Sequence, residues 1–390
     1  MKNLEKYILI ACSLFTLAAC DLEIDITNPG LIEEEQEDKP QVGETITYRA
    51  QVWVEKHDME DLYGGERQFK QGLEALFRNT TLFWNESTNK FDYYFEWAMG
   101  EGEDNLVIYD TGVSGPKSKE VYNEFKNKAF GTLDTEKYDF VLFLALNTRP
   151  GDGGLSCGGG GKSNQAVVMA YIQGDNNIFK KQWPDLGTYS DLGHEYGHVR
   201  GAQDLYQYII KAEDNPVSHV AYDYPKCNMG TGSKEWSDYC SAVFNHNAQY
   251  KQITSEMTRS TYPKQMLVRV TKNGKPVDRA TVNFYGSRAS FRDIYAEPGN
   301  SPYMKKKTDA AGEFTIDDIY RMFIPDYNNT PNLPPKSPID EFPFSRWYCF
   351  VVEVMINGEQ AKCVWLSDLD VCTEYLNGGQ QEPYVFEIQL

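Results

Sequence analysis

The sequence is poor in basic residues, and this scarcity limits the partners that the protein can have. Lysine and arginine together number 38 against 57 aspartates and glutamates, which gives a formal net charge of −19 for the 390 residues. Phosphate backbones and anionic lipid headgroups attract basic surfaces, so we expect no nucleic-acid partner and no electrostatic docking on a membrane. The acidic balance favours solubility and identifies no substrate.

The N-terminus lacks an apolar run long enough to cross a bilayer. Lysines precede the apolar residues 7–19, and a run of this length is typical of a signal-peptide core. It ends in Leu-Ala-Ala-Cys at 17–20, and small residues before a cysteine resemble the lipobox of bacterial lipoproteins. That resemblance implies that residues 1–19 are a lipoprotein signal peptide and that lipid on Cys20 anchors the chain to the membrane. The alternative is an ordinary signal peptide with an incidental cysteine.

Residues 20–44 are acidic and contain few large apolar side chains. They cannot bury enough surface to fold, so we predict a flexible tether. The acidic residues directly after Cys20 resemble the surface-export signals of Bacteroides-type lipoproteins, which implies a location at the outer membrane or the cell surface. No cysteine-switch motif occurs in the tether, so we expect no latency by that route.

Export implies an oxidising compartment, in which we expect cysteines to form disulfides. Beyond Cys20 the chain contains Cys157, Cys227, Cys240, Cys349, Cys363 and Cys372. Three lie in the middle of the chain and three near its end. Each region therefore has at least one free thiol unless a bridge joins the two, and the sequence leaves the connectivity open.

From Thr45 onwards, strand patterns alternate with helix patterns, which predicts an α/β sheet. The patterns place strands over 47–54, 93–99, 106–109, 138–146 and 166–172, and helices over 66–78 and 119–130. The run 138–146 is apolar throughout, as in a buried central strand. The glycine-rich passage 151–161 lacks the register of a phosphate-binding P-loop, so we predict a flexible loop there.

From residue 262 the pattern becomes rich in β-strands, with hairpin signals at Asn273-Gly274 and Asn357-Gly358. We predict an all-β, immunoglobulin-like sandwich over 262–390 as an accessory domain. Its signatures, Asn-Gly-Lys-Pro-Val at 273–277 and Lys-Thr-Asp-x-x-Gly at 307–312, resemble transthyretin-like and carboxypeptidase-regulatory-like modules. The resemblance says little about a ligand, and we favour a spacing or stabilising role over glycan binding as the plainer interpretation.

The segment that carries chemistry is His-Glu-Tyr-Gly-His at 194–198. Residues four apart lie on one face of a helix, so the imidazoles of His194 and His198 can bind one ion. Zinc prefers nitrogen and oxygen ligands, and a catalytic site leaves one position open. Glu195 is turned about 100° away, where its carboxylate can serve as a general base without binding the metal. We therefore predict Zn²⁺ as the cofactor and Glu195 as the catalytic residue.

Gly201 and Asp204 extend this site. A glycine three residues after His198 can end the helix with a positive φ, and the returning chain can then bring Asp204 to the metal as a third ligand. The plainer interpretations are a chance His-Glu-x-x-His on an exposed helix and a solvated aspartate. Only five histidines occur in the chain, and two of them fall in this register, which favours the metal site.

The His-Glu-x-x-His-x-x-Gly-x-x-Asp pattern at 194–204 resembles the metzincin zinc peptidase signature, in the aspartate form of snapalysin and the immune-inhibitor-A-like peptidases. The resemblance covers about residues 45–260. It implies an α+β catalytic domain over 45–261, with a mixed sheet, an active-site helix, and zinc-bound water activated by Glu195. It also implies a Met-turn beneath the metal, for which Met229 is the candidate; the plainer interpretation is a buried core methionine.

In that family an edge strand of the sheet binds extended peptide by β-augmentation. The resemblance assigns this role to Ala166, Val167, Val168, Met169, Ala170, Tyr171 and Ile172. It gives no match for a residue that stabilises the transition state. Four side chains stay open for that role, although each is more commonly structural: Tyr206, Tyr222, Tyr224 and His219.

Together these patterns predict a monomeric zinc endopeptidase, anchored by lipid on Cys20, that cuts extended segments of extracellular protein or glycoprotein. One alternative is a non-catalytic surface adhesin or glycan-binding lipoprotein on a peptidase-like fold. Another is a hydrolase of a different amide, such as cell-wall peptide. All the residues of the metal site are present, which favours the peptidase. Subsite preferences depend on pocket walls that the sequence does not reveal.

Overall fold

The computed structural model describes residues 43–86, 90–147, 154–159, 166–172, 188–230, 233–251, 253–288, 293–294, 301–325 and 346–390. The predicted signal peptide, Cys20 and nearly all of the tether lie outside the described residues. Gly43–Leu390 form one compact unit, and the predicted division of that unit at residue 262 stays a prediction. In the described part of the chain, no helix is both long enough and apolar enough to cross a membrane.

The first half contains a mixed sheet whose strands lie in the order β2-β1-β4-β6-β5, with β3 also paired to β1. The strands are β1 (Thr45–Glu55), β2 (Tyr94–Met99), β3 (Leu106–Tyr109), β4 (Phe140–Asn147), β5 (Gly154–Gly159) and β6 (Ala166–Ile172). Their pairings are parallel except that of β5 with β6, which is antiparallel. The apolar run in β4 therefore forms a central strand, as predicted, and the strand predicted over 47–54 is central as well.

The helices of this half are α1 (Lys56–Asp61), α2 (Glu66–Glu86), α3 (Lys119–Gly131), α4 (Thr188–Val199), α5 (Asp238–Asn247) and α6 (Ser255–Ser260). Successive side chains of a strand point to opposite faces, and β1 shows this directly. Val52 and Val54 belong to the core cluster that includes residues of α2 and α4, whereas Trp53 packs with Phe125 of α3. The sheet is thus buried on both faces.

The second half contains two further sheets, ordered β10-β9-β13-β14, with β11 also on β9, and β12-β7-β15, with β8 also on β7. Their elements are β7 (Gln265–Lys272), β8 (Lys275–Pro276), β9 (Thr281–Arg288), β10 (Asp293–Ile294), β11 (Met304–Lys307), β12 (Glu313–Asp317), α7 (Ile319–Phe323), β13 (Trp347–Ile356), β14 (Glu359–Ser367), α8 (Asp368–Asn377) and β15 (Tyr384–Gln389). Both predicted hairpins are confirmed, because β7–β8 and β13–β14 are antiparallel and both residues of each Asn-Gly have positive φ.

The structure has mixed α and β content with several sheets, which is compatible with an α+β part followed by a sandwich. The prediction that residues 262–390 are all-β is wrong, since α7 and α8 lie within them. Alternation within strands dominated the pattern there, and α8 has its own amphipathic spacing, with Leu369, Cys372 and Tyr375 buried. This helix packs on α5 and so joins the two halves.

The prediction of a peptide-binding edge strand at Ala166–Ile172 is also wrong as to the edge. This strand, β6, lies between β4 and β5, and β5 is the outermost strand among those described. β5 falls within the glycine-rich passage that was predicted to be a loop. Glycine has low strand propensity, but pairing in a sheet uses backbone groups alone, so a glycine-rich segment can still form the last strand.

Candidate metal centre

Helix α4 is positioned by its buried face. Leu192, Tyr196 and Val199 belong to the main core cluster, and the ring of Tyr196 lies 4.1 Å from that of Trp97 and 4.9 Å from that of Phe140, between centroids. These aromatic contacts are worth about 0.5–1.5 kcal/mol each beyond the area they bury. They fix the rotation of the helix about its axis and thereby the direction in which its polar face points.

Gly201 ends the helical segment. Its φ is +92°, and the Ala202 N–H donates to the carbonyl of Gly197 at 2.9 Å, as in the left-handed caps that close helices. A side chain at this position would also crowd the neighbouring Asn247, because a Cβ there would lie 2.9 Å from its Nδ2. The chain consequently reverses direction, and Asp204 returns to the face of α4 that carries the histidines.

Gly201→Ala is expected to lower the free energy of unfolding by about 1–2 kcal/mol, because an alanine is strained in the left-handed region. Urea denaturation followed by circular dichroism measures the change. Gly131→Ala is the matched control, since a Cβ on Gly131 would meet nothing within 4 Å and its φ is not positive. If Gly201→Ala and Gly131→Ala unfold at the same urea concentration, the role given to Gly201 is wrong.

Three side chains converge beyond this turn. Asp204 Oδ1 lies 3.1 Å from Nε2 of His194 and 3.1 Å from Nε2 of His198. The two imidazole rings are almost perpendicular, with centroids 5.0 Å apart and an angle of 86° between planes. The structure thus brings together the three residues that the sequence pattern singled out as ligands, with one donor atom of each within 4.8 Å of the others.

The other nitrogen of each imidazole is held by the backbone. Nδ1 of His194 donates to the carbonyl of Asn228 at 2.7 Å, and Nδ1 of His198 donates to the carbonyl of Ala202 at 3.0 Å. These bonds direct each Nε2 towards Asp204, so Nε2 is the nitrogen that would bind a metal ion after losing its proton. Sequence reasoning missed both acceptors, because a backbone carbonyl leaves no trace in residue identity.

Met229 lies beneath α4. It is fully buried. Its sulfur packs so closely on Gly197 that a Cβ on that residue would lie only 2.3 Å from it. Its backbone carbonyl accepts a hydrogen bond from Leu205, the residue after Asp204, at 2.7 Å. The turn 227–230 therefore supports the helix through the Met229 side chain and the ligand segment through its backbone. The position fits a Met-turn, and that role stays a prediction.

The electrostatics of the cluster favour a positive charge. Burial opposes protonation of His198, but the hydrogen bond and charge of Asp204 outweigh it and raise its pKa to about 9. Burial likewise opposes ionisation of Asp204, yet its hydrogen bonds to both histidines hold its pKa well below the usual range. Glu195, which is buried on the same helix, adds a further negative charge that raises the pKa of both imidazoles.

The four side chains left open for transition-state stabilisation lie in different surroundings. Tyr206 hydrogen-bonds Asp204, and burial together with that carboxylate raises the pKa of its phenol far above the usual range. Tyr222 packs on Trp365 with centroids 5.0 Å apart. The remaining two are Tyr224, whose ring lies against Gly230, and His219, which occupies a turn with φ of 53°.

The donor set fits zinc. Ligand atoms about 2 Å from a tetrahedral zinc lie about 3.3 Å from one another, close to the 3.1 Å that separates Asp204 Oδ1 from each Nε2. Two imidazole nitrogens and one carboxylate oxygen match the three-ligand sets of catalytic zinc sites, in which water or substrate would supply the fourth ligand.

A second group of metal-ligand side chains, Glu55, His57 and Asp110, lies at the carboxyl ends of β1 and β3. A lysine side chain of the protein already forms an ion pair with Glu55 of this group. The ammonium of Lys117, fully buried, lies 3.2 Å from Glu55 Oε2 and 2.7 Å from Asp58 Oδ1. Such a buried ion pair is a structural feature of the sheet, and the group carries no metal prediction.

Comparisons with known proteins add little. No family model and no curated protein matches the chain. Among solved structures, the chain resembles one of a chaperone–substrate complex (16% identity, TM-score 0.31, 53% of this chain and 38% of that one). It also resembles mature mirolysin of Tannerella forsythia with a cleaved peptide (16% identity, TM-score 0.26, 42% of this chain and 66% of that one). A third similar structure is that of catalytically inactive OgpA of Akkermansia muciniphila with an O-glycopeptide substrate (12% identity, TM-score 0.33, 85% of this chain and 96% of that one).

The chain spans less than two thirds of the length of the first two of these structures. At TM-scores below 0.5, the likenesses leave the function to be inferred from the site itself.

Proposed function

We propose that the protein is a zinc-dependent endopeptidase in which His194, His198 and Asp204 bind the metal and Glu195 is the general base. The observation that carries the proposal is the convergence of three ligand atoms, two of them one helical turn apart on α4 and the third returned by the turn at Gly201. A chance His-Glu-x-x-His would not also have both Nδ1 atoms fixed by carbonyls and a buried methionine beneath it.

Bound zinc would polarise the scissile carbonyl and lower the pKa of a water molecule. Glu195 follows His194 in the helix, so its carboxylate is turned about 100° from the ligand face, near the site without being part of the ligand set. There it takes the proton from the attacking water and passes it to the leaving amine. The carbonyls of Asn228 and Ala202 keep the histidines oriented during the reaction.

Extended peptide is the substrate form that we propose. Among the described strands β5 is outermost and pairs only with β6, so its outer backbone groups can receive a peptide strand. With lipid on Cys20 as anchor and the acidic tether as spacer, the enzyme would act outside the cytoplasm on surface-exposed or secreted protein and glycoprotein. The motif at 17–20 supports that location.

The test combines metal analysis with cleavage. We expect about one zinc per chain, loss of zinc in His198→Ala, and cleavage of a mixed peptide library that stops when a chelator is added. His246→Ala is the matched control, because His246 is also partly buried but bonds the Ser260 hydroxyl and does not belong to the ligand cluster. A folded wild-type protein that contains no zinc and binds none when zinc is supplied would refute the proposal.

The same experiment separates the alternatives. Zinc bound without cleavage of any library peptide, together with binding to a glycan array, would indicate a glycan-binding lipoprotein on a peptidase-like fold. Cleavage of isolated cell-wall peptide in preference to protein would indicate a hydrolase of another amide.

A further inference from the structure

Cys227 and Cys240 are neighbours in the core below the metal centre. Their Sγ atoms are 3.3 Å apart although the residues are 13 positions apart in the chain. Both side chains are fully buried. The N–H of Ser237, the residue that caps α5, donates to the sulfur of Cys227 at 3.3 Å. Two sulfurs need to approach by only about 1.2 Å to reach the length of a disulfide bond.

The two cysteines belong to elements with different tasks. Cys227 begins the turn that contains Asn228 and Met229, and its carbonyl accepts the N–H of Gly230 at 2.9 Å. That turn holds His194 through the carbonyl of Asn228. Cys240 lies in the first turn of α5, which packs against α8 of the second half. A bond between the sulfurs would join the turn 227–230, which contacts His194, to helix α5.

We propose that Cys227 and Cys240 form a disulfide that fastens the turn below the metal centre to α5. The proposal rests on the position of the two sulfurs and is independent of the peptidase activity. A cross-link between residues 13 positions apart closes a short loop. It restricts the unfolded chain more than the folded one, in which the two sulfurs are already adjacent.

The oxidation needs an external disulfide, either a protein dithiol oxidant or a small-molecule disulfide such as oxidised glutathione. The Cys227 thiolate attacks that disulfide and releases one thiol, and the Cys240 thiolate then displaces the second thiol from the mixed disulfide. Two electrons pass to the oxidant, and the two protons lost by the cysteines appear on the released thiols. Both steps occur during folding, since the completed core buries both sulfurs.

In the folded chain, the sulfur of Cys227 accepts hydrogen bonds. Burial disfavours its thiolate, but hydrogen bonds from the Cys240 thiol and from Ser237 outweigh burial and lower its pKa to about 6. The other cysteines whose side chains are described are Cys349, Cys363 and Cys372, which lie in the second half and have other contacts. Cys349 bonds the Ser287 hydroxyl at 3.3 Å, and Cys372 lies 4.0 Å from that of Thr261.

Peptide mapping tests the bond directly. The full chain is exported into an oxidising compartment of an expression host, denatured without reductant, alkylated and digested. We expect a cross-linked peptide that joins Cys227 to Cys240, a mass two hydrogens below that of the dithiol, and alkylation of Cys349 and Cys372. Alkylation of both Cys227 and Cys240 in the exported protein, or a bond from either of them to Cys157, would overturn the proposal.

A stability measurement supplies the second arm. Cys227→Ala with Cys240→Ala is compared with Cys349→Ala with Cys372→Ala, a pair of equally buried cysteines that controls for lost packing. We expect the first pair to lower Tm by about 5 °C more than the control pair. With dithiothreitol present during folding and heating, this excess should disappear, because the wild type then lacks the bond too. An excess that persists in reductant would show that packing alone is responsible.

Discussion

Glu195→Gln is expected to lower kcat for peptide cleavage by roughly 10²–10⁴-fold, the contribution typical of a general base, while zinc content and fold stay unchanged. Glutamine has nearly the same shape as glutamate, but its amide cannot accept the proton of the attacking water. Glu195 is buried on α4 without belonging to the three-residue ligand cluster. The substitution therefore removes proton transfer and leaves the metal ligands in place.

The measurement is cleavage of one fluorogenic peptide, chosen from the library experiment, together with zinc analysis of the same preparation. Glu213→Gln is the matched control, because Glu213 is exposed in the short helix Ala212–Asp214 and its nearest cation is Lys211 at 4.0 Å. The control should retain wild-type kcat. Cleavage that survives unchanged in Glu195→Gln would remove Glu195 from the mechanism, and loss of zinc in that variant would assign it to the ligand set instead.

The parts of the fold that the sequence predicted are those with strong local signals. The alternation in β1, the apolar run in β4 and the two Asn-Gly turns all correspond to observed elements. Helical spacing placed α2 and α3, although α2 continues to Glu86 rather than ending at residue 78. The continuation is amphipathic as well, since Phe83 and Trp84 are buried, but their side chains suit a strand as readily as a helix.

The proximity of His194 and His198 was predictable for the same reason, because residues i and i+4 on a helix are neighbours whatever the rest of the chain does. The position of Asp204 required one more element, the positive φ at Gly201, which glycine identity suggests. What the sequence could not reveal is contact between backbone groups or between distant segments. The carbonyls that hold the histidines, the pairing of β5 with β6, and the approach of Cys227 to Cys240 are all of this kind.

One such contact links the segment that follows Asp204 to the second half of the chain. Asp368, at the start of α8, is fully buried and accepts hydrogen bonds from the hydroxyls of Tyr208 at 2.6 Å and Tyr262 at 3.1 Å. The guanidinium of Arg346 also contacts its carboxylate. Tyr208 lies four residues after Asp204, so the segment that carries the third ligand is fastened to α8. The second half is thus hydrogen-bonded to the segment that follows Asp204, in addition to being joined to it along the chain.

Asp368→Asn is expected to lower the free energy of unfolding by about 3–5 kcal/mol, because the neutral amide leaves the buried guanidinium of Arg346 without a counter-charge. Urea denaturation measures the loss. Asp370→Asn is the matched control, since Asp370 is exposed in the same first turn of α8 and should change stability by less than about 1 kcal/mol. Equal midpoints for the two variants would contradict the role of Asp368.

The Asp368→Asn variant also tests whether the second half of the chain holds the segment of Asp204 in place or only packs beside it. If Asp368 fastens the segment of Asp204 through Tyr208, the folded Asp368→Asn protein should transfer zinc to a coloured chelator faster than Asp370→Asn does, below the urea concentration at which either unfolds. Tyr208→Phe should show the same acceleration with a smaller loss of stability, because it removes one hydrogen bond and leaves the charge pair intact. Identical transfer rates in all three would mean that the second half stabilises the fold without holding the metal ligand.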